Sequence, residues 1–541
     1  LRGEVWFDGR ADFKPTPTNA PTNAPLIAAG HESDLDERGR RVALRNSVIE
    51  QGRRFTFHEI GAIRMKTRME KDSLGEKAVP ANVYYGIQTA RALENFPISG
   101  YRAHPKLIQA IGMIKKAAAT ANRELGLVDR KRAGAIIQAA DEVIAGELND
   151  QFVVDVYQAG AGVSFHMNAN EVIANRAIEM LGGKRGQYEI CHPNDHVNFG
   201  QSTNDVFPTS MRLASLLLLG DMREVLQNLA GSFASKAREF DPILKSGRTH
   251  MQDAVPVRLG QEFGGYATAL DRCDRLVEQA QDFLRELGIG GSAVGTGVNT
   301  HPKYQRLVVK HLSGIAEQKL EPTRDLRYAM QSNLAMAVAS SALRNLALEL
   351  IRITNDLRLL SSGPNTGFAE ISLPALQPGS SIMPGKVNPV MPEMAAMVAF
   401  QAVGADLATA MAVQGGQLEL NVMMPAMAWN VLHSAEILKN AMRALGEKCV
   451  DGIKANPDRC RYYAHATVST AAALNPYIGY AAAAEIAKES VKTGRPVPEI
   501  ALEKKLLDES LLKKILDPWR MTEPAPPIEA ARKKAGSRRG R

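Results

Sequence analysis

Three observations predict a mainly α-helical protein with a central bundle of long helices. Apolar residues recur at spacings of three and four through long segments. One of these, Leu334 to Leu360 (LAMAVASSALRNLALELIRITNDLRLL), contains neither Pro nor Gly, and strand-like stretches are few and short. In chain order, Leu107 to Glu124 (LIQAIGMIKKAAATANRE) is the first helix, and Phe152 to Tyr157 is a short strand candidate. Thr209 to Glu239, Arg258 to Leu287, Leu334 to Leu360 and Pro392 to Val413 follow as long helices. About seven uncapped turns in Leu334–Leu360 suit a bundle rather than a lone surface helix. Ala335, Ala337, Ala339 and Ala342 leave room for a close neighbour. Helices apolar on more than one side need several neighbours. An oligomeric core supplies them, and so would a large monomeric bundle.

At about 150 residues per domain, 541 residues suggest two to four domains, and 45% apolar with 23% charged residues is a globular composition. Four cysteines (Cys191, Cys273, Cys449, Cys460), none at CxxC spacing, exclude a disulfide framework and a cysteine zinc site; they suit a reducing, cytoplasmic setting. The net charge of +8 includes six positive charges between Ala531 and Arg541 (Arg532, Lys533, Lys534, Arg538, Arg539, Arg541). Without that tail the balance is +2, which gives no case for a specific nucleic-acid face. No run of 18 apolar residues predicts a membrane span; the longest aliphatic run is Leu216 to Leu219. Residues 1–64 read as a foreign extension, disordered or a reading-frame product, because KPTPTNAPTNAP (Lys14 to Pro25) is low-complexity and His31 to Arg54 has no helical stripe. Met65 or Met69 would start the folded part, and no secretory signal precedes them.

Chemistry concentrates in four segments. Gly379 to Pro389 (GSSIMPGKVNP) sets two serines, a lysine and an asparagine among Gly379, Gly385, Pro384 and Pro389, combining hydroxyls and a cation on a loop able to close over a ligand. Gly200 to Asp205 (GQSTND) places five hydrogen-bonding side chains in succession at a helix start, more than an N-cap needs, and the rest suit a carboxylate there. Gly247 to Asp253 (GRTHMQD) offers Thr249 and His250 side by side, and Gln158 to Asn170 (QAGAGVSFHMNAN) is a small-residue turn followed by amides. Other patterns fail. Gly288 to Gly297 (GIGGSAVGTG) lacks both the GxGxxG spacing and the GK[ST] ending. His192 and His196 are four apart, but Pro193 makes His192 a cap rather than a metal ligand. There is no GxSxG elbow and no calcium-loop spacing.

In that order, and with NEVIANR at Asn170 to Arg176, these segments resemble the aspartase/fumarase superfamily from about Met69 to Pro524. The resemblance implies a three-domain, mainly α fold whose long-helix bundle forms a homotetrameric core, with active sites shared between three subunits. The domains fall at 65–203, 204–458 and 459–525, between the extension at 1–64 and a basic tail at 526–541. Within the superfamily, VDVYQAGAG (Val154 to Gly162), NDLRLLSSGP (Asn355 to Pro364), GQLELNVMMP (Gly416 to Pro425) and Tyr84-Tyr85-Gly86 are closer to ammonia-lyases acting on aspartate than to class II fumarases, which are the alternative.

The implied substrate is a small dicarboxylate, and the implied roles follow the matched motifs. Ser380 is the base, acting as an alkoxide when its loop closes. Ser202, Thr203 and Ser381 hold the side-chain carboxylate; Thr249, Lys386 and Asn388 hold the α-carboxylate. Asn204 and His250 face the leaving ammonium, with Glu393 orienting His250. No metal ligand and no cofactor are implied, a divalent cation entering only as an activator. Two positions depart from the pattern. Val163 stands where a threonine would touch the side-chain carboxylate, with Ser164 as its nearest substitute, and His166 stands in place of an amide. A catalytically inactive scaffold is the reading from another class, and intact Ser380, Lys386, Asn388, Thr249 and His250 argue against it.

Overall fold

Residues 66–528 are described by a computed structural model of the chain; the extension at 1–64 and the tail charges lie outside them. Thr67–Asp72 (β1) and Gly75–Pro80 (β2) pair as an antiparallel hairpin, followed by Ile87–Asn95 (α1). Pro105–Glu124 (α2) begins two residues before the predicted Leu107, because Pro105 fits the first helical position and His104 caps it by accepting the Lys106 N–H. Arg130–Ala145 (α3) is capped by Asp129 and ends on left-handed Gly146. The expected strand at Phe152–Tyr157 does not form. Phe152, Val154 and Val156 are buried, but Asp155 makes only an isolated bridge to Arg102 and uses its carboxylate to hold Ser99 and Gly100. Alternation here reflects burial of a loop, not a sheet. His192 caps the Pro193–Val197 turn, accepting the Asn194 and Asp195 N–H groups, as the proline suggested.

Val163–Met180 (α4) leads to the longest helix, Thr203–Phe240 (α5), whose 38 residues at 1.5 Å each reach about 57 Å. A hairpin of Leu244–Thr249 (β3) and Gln252–Arg258 (β4) turns the chain back into Leu259–Leu284 (α6), where the sequence predicted helix from Arg258. Phe233 and Phe240 of α5 interlock with Phe263 and Tyr266 of α6 at ring separations of 5.1–6.0 Å, edge-on except for the tilted Phe233–Phe263 pair. Tyr304–Ala316 (α7) and Leu326–Gln331 (α8) precede Leu334–Leu360 (α9), Val390–Gln414 (α10) and Met424–Lys448 (α11). Helix α9 has the predicted bounds, and it buries Ala335, Ala339 and Ala342 while Ala337 is only half-buried, two residues being too short a step to stay on one helical face. By length and composition alone, α9 and α10 are apolar enough to cross a bilayer, which counting unbroken apolar runs missed. Both pack into the bundle, α10 lying against α9 and α11. Beyond Cys460, Ala471, Leu474, Ile486, Ile500, Leu512 and neighbours close a second, smaller apolar cluster.

Candidate active site

The polar segments gather at the two ends of α5. At its start, Ser202 is the N-cap: its Oγ accepts the Asn204 N–H at 3.2 Å, and Asp205 Oδ1 accepts the Ser202 N–H at 2.9 Å. Asp205 is fully buried, and its Oδ2 also takes the N–H groups of Gly290 (2.9 Å) and Ser292 (3.0 Å). The glycine-rich stretch at 288–297 is therefore folded onto the start of α5. Burial pushes the Asp205 carboxyl up to about 6, against the pull of these three N–H donors. Asp205→Ala strands all three, at about 1–3 kcal/mol each. Urea unfolding at fixed protein concentration is expected to show at least about 3 kcal/mol of lost stability.

Asn204 Nδ2 donates to Ala293 O at 2.8 Å, which fixes the amide and leaves Oδ1 as an acceptor. The Gly160–Gly162 turn packs on the same end. Gly162 is left-handed, and a Cβ there would lie 2.2 Å from the Phe207 ring, while the Ala161 N–H reaches Val422 O. GQSTND, the QAGAGV turn and the GQLELNVMMP segment thus meet. Val163 opens α4 and is 41% exposed, whereas Ser164 is buried and lines a separate cavity with Gln88 and Arg91. The substitution of Ser164 for a hydroxyl at 163 is not made, because consecutive helical residues point about 100° apart.

Behind Thr203 lies a group that the sequence reading missed. Lys115 of α2 is completely buried, and its Nζ sits 2.9 Å from each of His166 Nε2, Asn198 Oδ1 and Gln201 Oε1. His166, also buried, touches Thr203 Oγ1 through Nδ1 at 2.7 Å. Burial holds Lys115 well below the usual lysine range, opposed by Asp205; burial and the Lys115 charge likewise depress His166. The signal was present: Lys115 follows Ile108 and Ile111 and precedes Ala118 on the apolar stripe of α2, whereas Lys116 faces outward to Asp141.

At the far end, Thr249 and His250 occupy the exposed tip of the β3–β4 hairpin, with His250 at φ 53° and Met251 at φ 61°. Two consecutive non-glycine residues in the left-handed region cost roughly 1–2 kcal/mol each. Ion pairs along β3 anchor the hairpin: Lys245 and Arg248 both pair with fully buried Glu370 at 3.0 Å. Burial disfavours the Lys245 charge, but Glu262 and Glu370 outweigh it and raise its pKa. Glu370 lies just before the Ser380 loop. That loop is closed at its neck by Gly379 N–H to Lys386 O (2.7 Å) and Asn388 Nδ2 to Gly379 O (2.9 Å). Gly385 takes φ 80° as expected, but Gly379 is needed for a different reason: a Cβ would lie 2.8 Å from Asn388 N and Lys386 O. Ser380 Oγ accepts the N–H groups of Ile382 (3.2 Å) and Met383 (3.0 Å), and Ser380 and Lys386 line one open cavity of about 440 Å³. Ser381 and Lys386 are exposed. Glu393 stands in the first turn of α10, and within one chain no hydrogen bond or ion pair joins it to His250, so the expected orienting contact is not made there.

The two ends do not meet within one chain. The hairpin leaves the far end of α5, and its six-residue strand reaches back at most about 20 Å. Thr249 and Ser202 are therefore separated by roughly 35 Å or more.

A family model described as "Lyase" matches residues 75–404, and one described as "Fumarase C C-terminus" matches 471–523. The chain belongs to the aspartase/fumarase superfamily of lyases. An aspartate ammonia-lyase of Bacillus subtilis is 48% identical over 84% of this chain and 96% of its own length. A class II fumarate hydratase of Halobacterium salinarum is 50% identical over 84% and 97%. The structure of a fumarate lyase:delta crystallin from Brucella melitensis bound to cobalt superposes with a TM-score of 0.82 at 49% identity, covering 85% of this chain and all of that one. For a lyase of this superfamily, the geometry supplies hydroxyls and helix-start N–H groups at one end, and an imidazole, a cation and a nested serine at the other.

Proposed function

We propose that this lyase is an aspartate ammonia-lyase, eliminating ammonia from L-aspartate to give fumarate, within a homotetramer whose active sites each draw on three subunits. The Asn204 amide carries the ammonia reading: with Nδ2 held by Ala293 O, its Oδ1 is the acceptor that the N–H donors of a departing ammonium need. The carbon acid is weak, so the base must act together with donors that stabilise a doubly charged enediolate. In this reading Ser380 takes the proton, helped by Lys386 and the loop N–H groups. Ser202, Thr203 and Ser381 hold the carboxylate that gains charge, and Thr249, Lys386 and Asn388 hold the other. Asn204 and His250 face the ammonium. No catalytic cofactor takes part, and a divalent cation would act only as an activator.

The separation of the two ends supports the shared site, since a four-carbon substrate cannot span it. Exposed Met397, Phe400, Leu407 and Met411 along α10 support a bundle completed by further copies. Four free, buried cysteines suit a cytoplasmic enzyme. Hydration of fumarate is the second reading, favoured by the Halobacterium salinarum relative. Ultraviolet absorbance of fumarate separates them: signal from L-aspartate and none from L-malate is expected. Signal from malate alone makes this a hydratase, and signal from neither makes Val163 and His166 marks of another substrate.

A further inference from the structure

We propose that Lys115 and His166 are positioning residues that set the hydrogen-bond polarity of Thr203, so that its hydroxyl donates to the substrate carboxylate only while Lys115 carries its proton. The proposal rests on the reading of Thr203 as a carboxylate ligand, and the geometry gives its direction. Asn198 Nδ2 donates to Gln201 O at 3.1 Å, and Gln201 Nε2 donates to Val197 O at 3.1 Å. Both amide groups are thereby fixed, their oxygens face Lys115, and two of its N–H bonds are committed. Only the contact with His166 Nε2 can change sign.

An ammonium has three donors for three partners. Lys115 then donates to Nε2, the imidazole proton sits on Nδ1, and Nδ1 donates to Thr203 Oγ1, leaving the Thr203 O–H for a carboxylate. Loss of one proton reverses the chain. The amine lone pair accepts from Nε2–H, Nδ1 is bare and takes the Thr203 O–H, and Thr203 turns lone pairs toward the carboxylate. The net change is one proton released: the Lys115 proton shared with Nε2 passes to Nε2, the Nδ1 proton leaves, and one imidazole tautomer replaces the other.

The charged and titratable groups packed around this chain come from α2, α4, α5 and α7. They are Lys115, His166, Asp205, and buried Tyr304, which feels the Asp205 charge. Asp205 favours the ammonium and burial opposes it, which places the reversal below the ordinary lysine range.

The test is the dissociation constant of succinate, a dicarboxylate with nothing to eliminate, measured by calorimetry from pH 6.5 to 10 on the full-length assembled protein. The wild type is expected to weaken by about tenfold or more along an alkaline limb, as a charge-assisted hydrogen bond is lost. Thr203→Val should show the weak affinity at every pH, with no limb from this source. Thr203→Ser, which keeps a hydroxyl, should restore both the affinity and the limb. His166→Asn offers an amide that cannot change tautomer and should flatten the limb. If His166→Asn does not fold, the two Thr203 variants carry the test. A wild-type profile without a limb overturns the proposal, as does a limb that persists unchanged in Thr203→Val or His166→Asn. Unchanged affinity of Thr203→Val at pH 7 would instead remove Thr203 as a carboxylate ligand, and the proposal with it.

Discussion

Ser380→Ala is expected to lower turnover of L-aspartate by about 10²–10⁴-fold, the usual contribution of a positioned base, while helix content and assembly stay unchanged. The Ser380 side chain lies on an open loop, outside both apolar clusters, and among the described residues its Oγ meets only the N–H groups of Ile382 and Met383. Losing it costs two local turn bonds and no packing. Those same two donors are what an alkoxide at Oγ would need, so the nest that orders the loop also favours the reactive form of the base. Steady-state kinetics with circular dichroism and sedimentation would check this, and normal turnover would overturn the assignment of the base.

The second large effect comes from mixing two inactive proteins. Ser202→Ala/Thr203→Ala damages only the start of α5, and Ser380→Ala damages only the far end. Each is expected to be nearly inactive alone, since a lost donor to the enediolate costs about 10²-fold. After denaturing and refolding the two together, random assembly leaves about one site in four with both ends intact, so roughly a quarter of wild-type activity should return. Separately refolded samples, mixed afterwards, are the control. No recovery in the co-refolded sample would mean that each chain builds its own site, against the separation along α5.

Much of this was legible because periodicity and the motifs are local. The helical spacing in Leu334–Leu360 gave the bounds of α9, and Pro193 identified His192 as a cap. What escaped was decided between segments. Phe152–Tyr157 alternates like a strand, but among the described residues no partner strand lies beside it, and Asp155 ties it to Ser99 instead. The hairpin that presents Thr249 and His250 is held by Glu370, more than a hundred residues away. Lys115 and Lys116 are adjacent in sequence, but only Lys115 is buried, while Lys116 reaches Asp141 at the surface.

The length of α5 has a consequence for the chemistry in dilute solution. In the proposed shared site, a chain that carries the hydroxyls at one end of a helix of about 57 Å and Ser380 at the other would own no complete reaction centre. Turnover would then follow mass action among subunits, and dilution is expected to remove catalysis before it unfolds a single helix. In a mixed population, a chain defective at one end is then expected to silence sites that its partners would otherwise complete.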